Sequence, residues 1–445
     1  MLTEEQNRTL TQVGPGTPMG ELLRRYWHPI GGAADLDVNP VKPVRLLGED
    51  LVLYKDLAGT YGLVQRHCPH RRADLSYGFV ENCGIRCNYH GWLFDEEGRC
   101  TEQPFEDTAH PEARFKDKIR ARAYPVRELR GLLFAYLGPQ PAPLLPMWEP
   151  FTWEHGYVQV VTAKVPCNWF QGQENAIDPV HFEWMHSNWS RRLQGQTGYA
   201  ARHLRIEFRE FDYGFTYHRL VEGMSEEHER WRIGRVALWP NCLGPNQHFE
   251  WRVPMDDENI LFVVWWFDPV PLERRPYVQG RIPCWEAPVV DPLTGRFITT
   301  HIDNQDFVAW AGQGRISDRT LEHLGPSDRG IIMMRKRFFD DIARVQRGED
   351  PSGLVRDEAI NTSIPLPIAD RGFLVDSMPL ADMLADPTRD PRTFITIAGQ
   401  PAWVREERLE ALGVGQNELD LGAVGLIGAV ASANSRGAAW WTSTR

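Results

Sequence analysis

The sequence predicts an α+β protein: a small all-β domain, then a larger domain with a long antiparallel sheet flanked by helices. Three observations predict it. Short β-rich runs separated by glycine turns occupy residues 44–64. A proline-rich stretch at 138–146 has the composition of a stiff spacer. Beyond it, strand-like runs between 158 and 267 give way to helical periodicity near 304–345. The expected division is a helical segment over 1–30, the all-β domain over 31–145 and the larger domain over 146–445.

A chain of 445 residues holds two or more domains with ample core. Its formal charge of −11 argues against nucleic acid or an anionic membrane as main partner. The first residues lack a basic and apolar signal pattern. The longest apolar runs, 260–267 and the Ala/Gly/Val tract near 423–433, are too short to span a bilayer. A soluble cytoplasmic protein is expected. Seventeen tryptophans suit thick sheet packing or an aromatic-lined cavity. Seven cysteines, an odd count in a reducing compartment, suggest metal binding for the clustered ones rather than a disulfide framework.

Taken in order, Gly14 to Pro18 forms a turn. Thr17 caps a helix, and Pro18 takes the first position of a helical run reaching Trp27. Strands follow at 44–48, 51–54 and 61–64, then a strand and hairpin turn at 93–100 and a strand at 132–137. After the spacer, strands are expected at 158–165, 204–208, 215–220, 232–238, 247–253 and 260–267, with 254–259 turning between the last two. Helices return near 304–311 and 327–345. The second carries Ile331, Met334, Phe338, Ile342 and Val345 on one stripe, with Ser327 as cap and Gly348 and Pro351 as stops. The stretch 355–445 is mixed, with a short helix near 405–412.

The most specific pattern is Cys68-x-His70 followed by Cys87-x2-His90. Each of two loops offers one thiolate and one imidazole. That set suits a [2Fe–2S] cluster in which two Cys hold one iron and two His the other. Neutral imidazoles in place of thiolates remove negative charge and raise the potential. A Cys2His2 zinc site is the alternative, but zinc sites usually pair Cys with Cys and His with His along the chain. Pro69 within the first loop and Gly91-Trp92 after the second favour the cluster. Cys83 and His67 lie close by and take no ligand role, because neither fits the loop-to-loop pairing.

A second stretch, Asp178-Pro-Val-His181-Phe-Glu-Trp-Met-His186, places one carboxylate and two imidazoles within nine residues. Imidazole is the commonest metal ligand, and a carboxylate helps to hold Fe(II). On an ideal helix His181 lies about 60° from Asp178, but His186 lies about 140° from His181. Two imidazoles on one ion therefore require an irregular backbone, with a π- or 3₁₀-type turn. The plainer reading is that Asp178 caps a helix with Pro179 at its first position and the histidines merely pack. The Cys/His loops upstream supply a reason for an iron to sit here.

Together, Cys68-Pro-His70-Arg … Cys87-Asn-Tyr-His90-Gly-Trp and Asn175-x2-Asp178-x2-His181-x4-His186 resemble the oxygenase component of Rieske non-haem iron oxygenases. The resemblance covers most of the chain. The N-terminal run through Trp27 is similar to the phthalate-dioxygenase-like branch. The run from Cys167 to His186 looks closest to aryl-ether O-demethylases acting on lignin-derived methoxylated acids.

The resemblance implies roles. Cys68, His70, Cys87 and His90 would hold the [2Fe–2S] cluster. His181 and His186 would hold a mononuclear Fe(II), with a third, carboxylate ligand from the helix near 304. Asp306 matches best and Asp303 is its competitor; either also suits a helix start. Asp178 would be a bridging carboxylate between a histidine of the iron site and a cluster histidine of the neighbouring subunit in a homotrimer, carrying electrons. Asn175 stands three residues before Asp178, where some ring dioxygenases have four, and takes no ligand role.

No G-x-G-x-x-G fingerprint follows a strand, so NAD(P)H should act through a separate reductase, with or without a ferredoxin. The expected activity is O2-dependent O-demethylation of a methoxylated aromatic acid, releasing formaldehyde. Ring cis-dihydroxylation of a phthalate- or phenoxybenzoate-like acid uses the same ligands and stays open. A Rieske electron carrier without oxygenase chemistry is a further alternative, distinguished by its lack of need for the second iron.

Overall fold

The computed structural model describes residues 1–193, 195–244, 248–299, 301–368 and 402–413. Two helices open the chain, α1 (Glu4–Thr11) and α2 (Pro18–Leu23). Thr17 caps α2 by accepting the Gly20 N–H at 3.1 Å, with Pro18 at the first helical position. The expected helical run through Trp27 stops early: β1 (Trp27–Gly32) is a strand, followed by the short α3 (Asp35–Val38). Pro29 and two glycines hide it in the sequence. Its pairing with the apolar β11 (Leu132–Tyr136) is what makes it a strand.

The small β domain then forms. Strands β2 (Val41–Leu46), β3 (Glu49–Lys55), β4 (Tyr61–Gln65) and β9 (Ala123–Tyr124) make one four-stranded sheet in that order. A second contains β5 (Phe79–Val80), β6 (Ile85–Arg86), β7 (Leu93–Phe94) and β8 (Cys100–Glu102). Between β8 and β9 lies α4 (Pro104–Ala109), and β10 (Val126–Leu129) extends the β1–β11 sheet. The core of this region is Val52, Tyr54, Val64, Leu75, Ile85, Trp92 and Phe94, with Cys68 and Cys87 buried among them. The stretch 138–146 is irregular, as its prolines require. It is nevertheless tied down, with the Trp27 indole donating to Pro143 O and Leu144 N–H to Val355 O.

The larger part is organised on an eight-stranded sheet. Its members are β12 (Gly156–Val165), β13 (His203–Phe211), β14 (Gly214–Val221), β15 (Arg235–Leu238), β16 (Cys242–Gly244), β17 (His248–Pro254), β18 (Ile260–Pro269) and β19 (Cys284–Glu286). They lie in the order β13-β14-β15-β16-β17-β18-β12-β19. All pairs are antiparallel except the edge pair β12–β19. The strand expected at 232–238 is shorter. Residues Glu229–Arg232 form a helical turn, and Gly234 breaks the chain at φ +81, where a Cβ would meet Tyr217 O at 2.5 Å. The three-residue β16 falls below any strand signal in the sequence.

Helices cover this sheet. In chain order they are α5 (Trp169–Ala176), a π-helix over Phe182–Trp189 running into α6 (Ser190–Leu193), α7 (Glu229–Arg232), α8 (Ile302–Gly312), α9 (Arg329–Gln346) and α10 (Ala402–Leu412). Met334, Phe338, Ile342 and Val345 of α9 are buried, as their stripe predicts. Ser327 is not its cap: it lies in a 3₁₀ turn, Pro326–Asp328, closed by the Gly325 N–H to the Asp328 carboxylate. Gly348 follows at φ +80 as a stop. The rest of the mixed C-terminal stretch, 369–401 and 414–445, lies outside the described residues. No helix among the described residues is long and apolar enough to cross a membrane.

Helix α5, which leads into the site, is anchored by buried charge. Glu174 accepts from Arg319 Nη2 at 2.7 Å and from Arg335 Nε at 2.8 Å, and Arg319 also reaches Asn7 of α1 at 3.1 Å. One carboxylate thus ties α5 to α9, to the loop before it and to the N-terminus.

Candidate metal centres

The two Cys/His loops adopt the same backbone pattern. Cys68 N–H donates to Ala73 O and Arg72 N–H to Cys68 O; Cys87 N–H donates to Trp92 O and Gly91 N–H to Cys87 O. The fifth position of each loop takes positive φ, +64 at Arg72 and +75 at Gly91. Gly91 is suited to it, since a Cβ there would press on Pro104 Cγ at 3.1 Å. The loops bring the His70 and His90 rings to 4.5 Å, and Trp92 stacks on His70 at 4.2 Å. Cys68 and Cys87 are buried while His90 is exposed. A hydrogen bond from the Cys68 thiol holds Cys87 down to about 6, and the same contact, with burial, pushes Cys68 up.

These residues fit an iron–sulfur cluster better than one ion. No three of the four donor atoms lie mutually within 4.8 Å, as a single zinc would require. Two irons, one on the thiolates and one on the imidazoles, remove that conflict. The His70 Nδ1 is buried and has no hydrogen-bond partner among the described residues. Cys83 is exposed, and the His67 ring bonds Arg72 O, so neither joins the set.

The second constellation lies between the π-helix and α8. His181 and His186 are five residues apart, and a π-helix closes i→i+5, so the irregular turn returns both imidazoles to one side. Their ring centroids are 5.0 Å apart. Asp306 Oδ1 lies 3.3 Å from His186 Nε2 and 3.7 Å from His181 Nε2. All three donors lie within 4.8 Å of one another, the sole such group of His, Cys, Asp or Glu among the described residues. Donors sharing one ion at about 2.1 Å in octahedral geometry would sit about 3 Å apart, so only small closure is needed.

Partners hold these side chains from behind. Asp178 Oδ2 lies 3.6 Å from His181 Nδ1, and its Oδ1 accepts the Val180 N–H at 2.8 Å. Burial alone would raise the Asp178 carboxyl, but His181 and the backbone N–H groups outweigh it and hold it low. Gln305 Oε1 lies 3.1 Å from His186 Nδ1, and Asn175 Nδ2 donates to Asp306 Oδ1 at 3.1 Å. Neither role was visible in the sequence; Asn175 at least belongs to the Asn-x2-Asp-x2-His spacing. Asp303 lies apart from the group. Its Oδ2 is 3.7 Å from His301 Nδ1, and burial, then Glu250 and Asp306, push it up to about 7. With His301 it edges an apolar cavity lined by Val161, Phe262, Val264, Trp266 and Phe307.

A cluster-bearing β domain joined to a two-imidazole, one-carboxylate face is the make-up of an oxygenase that feeds electrons to a mononuclear iron. Residues 26–124 match the family described as "Rieske [2Fe-2S] domain", and 293–365 that described as "LigXa C-terminal domain like". The chain is 56% identical over 418 residues to the 5,5'-dehydrodivanillate O-demethylase oxygenase subunit of a Sphingobium species, covering 94% of this chain and 98% of that one. It is 32% identical to the phthalate 4,5-dioxygenase oxygenase subunit of Pseudomonas putida, covering 79% and 89%. The fold is shared with the oxygenase in an oxygenase–ferredoxin complex of carbazole 1,9a-dioxygenase. The TM-score is 0.55 at 18% identity, over 82% of this chain and 98% of that one. The chain belongs to the Rieske non-haem iron oxygenases, as an oxygenase component. That membership sets aside the electron-carrier and zinc readings.

Proposed function

We propose that this oxygenase component removes the methyl group from an aryl methyl ether of a lignin-derived aromatic acid, 5,5'-dehydrodivanillate being the type substrate. The observation that carries the reading is 56% identity to the demethylase subunit across nearly its whole length, against 39%, 36% and 32% for relatives named as dioxygenases. The reaction balances as one aryl methyl ether, O2, two electrons and two protons giving a phenol, formaldehyde and water. Oxidation of the methyl carbon yields a hemiacetal, whose C–O bond breaks to release formaldehyde.

In this reading Cys68, His70, Cys87 and His90 hold the [2Fe–2S] cluster, and His181, His186 and Asp306 hold the Fe(II). The cluster, when bound, supplies electrons, and the iron supplies a site for O2 activation beside the substrate. Gln305 fixes the orientation of the His186 imidazole through its Nδ1, and the Asp178 carboxylate stands 3.6 Å from the His181 Nδ1, a charge partner just beyond hydrogen-bond distance. Asn175 steadies the Asp306 carboxylate. The apolar cavity between β12, β18 and α8 borders the site and offers a nonpolar wall for the aromatic ring.

The partners in this reading are a ferredoxin or reductase that draws on NAD(P)H, and two further copies of the chain in a ring. In that trimer Asp178 connects the iron site to a neighbour's cluster. The test is oxygen uptake by the enzyme with a reductase, on a panel of methoxylated and unmethoxylated aromatic acids. Formaldehyde from the methoxylated members supports the reading; a cis-diol as product overturns it.

A further inference from the structure

The sheet face beneath the π-helix carries a cation without a counter-ion. Tyr217 and Arg219 lie two apart on β14 and share a face, and Tyr217 pairs across to Arg235 on β15. The face continues along β17 and β18, where Glu250 pairs with Val264 and His248 with Trp266, and ends at the aromatic-lined cavity. Arg235 has partners there: Glu250 at 3.2 Å and His248 at 3.3 Å. Arg219 has no hydrogen bond or ion pair among the described residues. The groups that face it are the Tyr217 hydroxyl, the cations Arg230 and Arg235, and the His203 imidazole, with no carboxylate among them, and burial pulls its guanidinium down to about 10.

Holding a partly buried cation among cations is costly unless an anion arrives. Its position says which anion. The guanidinium carbon lies 4.1 Å from the Phe182 ring centroid. That ring is 4.5 Å from His181 and 5.1 Å from His186. Arg219 is therefore one aromatic ring removed from both imidazoles. The methoxy and carboxyl groups of a methoxybenzoic acid are likewise separated by one ring. A guanidinium also presents a planar fork that matches a carboxylate.

We propose that Arg219, with Arg235 beside it, receives a carboxylate of the substrate and so fixes which methoxy group lies against His181, His186 and Asp306. This rests on the aromatic-acid reading above and names the side chain that recognises the acid. The competing role is a purely structural one, in which Arg219 only props Phe182 and the π-helix.

The two roles separate on a matched substrate pair: a methoxylated biaryl diacid and its neutral diamide. Arg219→Met in the iron-loaded enzyme with its reductase should raise KM for the diacid roughly 10- to 100-fold, the loss of one charge-assisted contact, with kcat little changed. KM for the diamide should be the same in wild type and variant. Arg219→Lys should fall between, since it keeps the charge and loses the fork, and it serves if the Met variant does not fold. An unchanged KM for the diacid, or an equal loss on diacid and diamide, overturns the proposal. Binding followed by quenching of tryptophan fluorescence reads the same preference without turnover. Absence of formaldehyde from wild type would thus sink the demethylase reading alone, and absence of a binding difference the Arg219 assignment alone.

Discussion

Replacing Asp306 by Ala distinguishes the two carboxylates of α8. Asp306 supplies one of three converging donors, 3.3 and 3.7 Å from the two Nε2 atoms, and the only one with a formal charge. Losing a group that merely orients a ligand costs 10–100-fold in metal affinity. Losing the ligand itself should exceed that, so affinity falls by more than about 100-fold, or about 2.7 kcal/mol. Desalted Asp306→Ala protein should lack about one iron per chain by elemental analysis, with the visible absorbance of the cluster unchanged. Asp303→Asn should keep its iron, because that carboxyl lies 3.7 Å from His301 Nδ1 and is not among the converging donors. Iron retained in Asp306→Ala and lost in Asp303→Asn would refute the ligand assignment.

Three further outcomes are expected. Asp178→Asn should load both centres yet lose nearly all turnover, since the carboxylate 3.6 Å from His181 Nδ1 is the proposed electron path; near-normal turnover would remove that role. Glu174→Ala leaves the buried Arg319 guanidinium without a carboxylate, while Arg335 keeps Glu322, and should lower stability by about 3–5 kcal/mol in denaturant titration; a change under about 1 kcal/mol would show that the network is dispensable. Burial holds the His28 imidazole down to about 4 from its ordinary 6.5, so only the unfolded chain takes up a proton between those values. Stability from His28 is therefore full above about pH 6.5 and lost as pH falls towards 4, by up to roughly 3 kcal/mol. His28→Asn should lose less stability than wild type between pH 7 and pH 4.5, and parallel losses would contradict the shift.

What the sequence revealed was whatever has short-range cause. The Cys/His loops are local turns, and their spacing alone favoured a cluster over the common zinc arrangement. The five-residue gap between His181 and His186 demanded a distorted helix, and the π-helix over Phe182–Trp189 answers it. Strands with regular β-rich runs, such as β3 and β18, were equally plain. What depended on tertiary context was hidden. Trp27–Gly32 becomes a strand only because β11 lies beside it. Asp303 and Asp306 are one turn apart on the same helix, so only the position of the π-helix separates them. Gln305 and Arg219 carry no spacing signal: one is a polar residue in a helix, the other an arginine in a strand. Their significance comes from what the fold sets opposite them.

The most direct test of the account uses a methoxylated aromatic acid carrying 13C in the O-methyl group, turned over by the reductase-coupled enzyme. The account predicts 13C-formaldehyde in equal amount to the phenol formed and the O2 consumed. The label remaining on a dihydroxylated ring would contradict it.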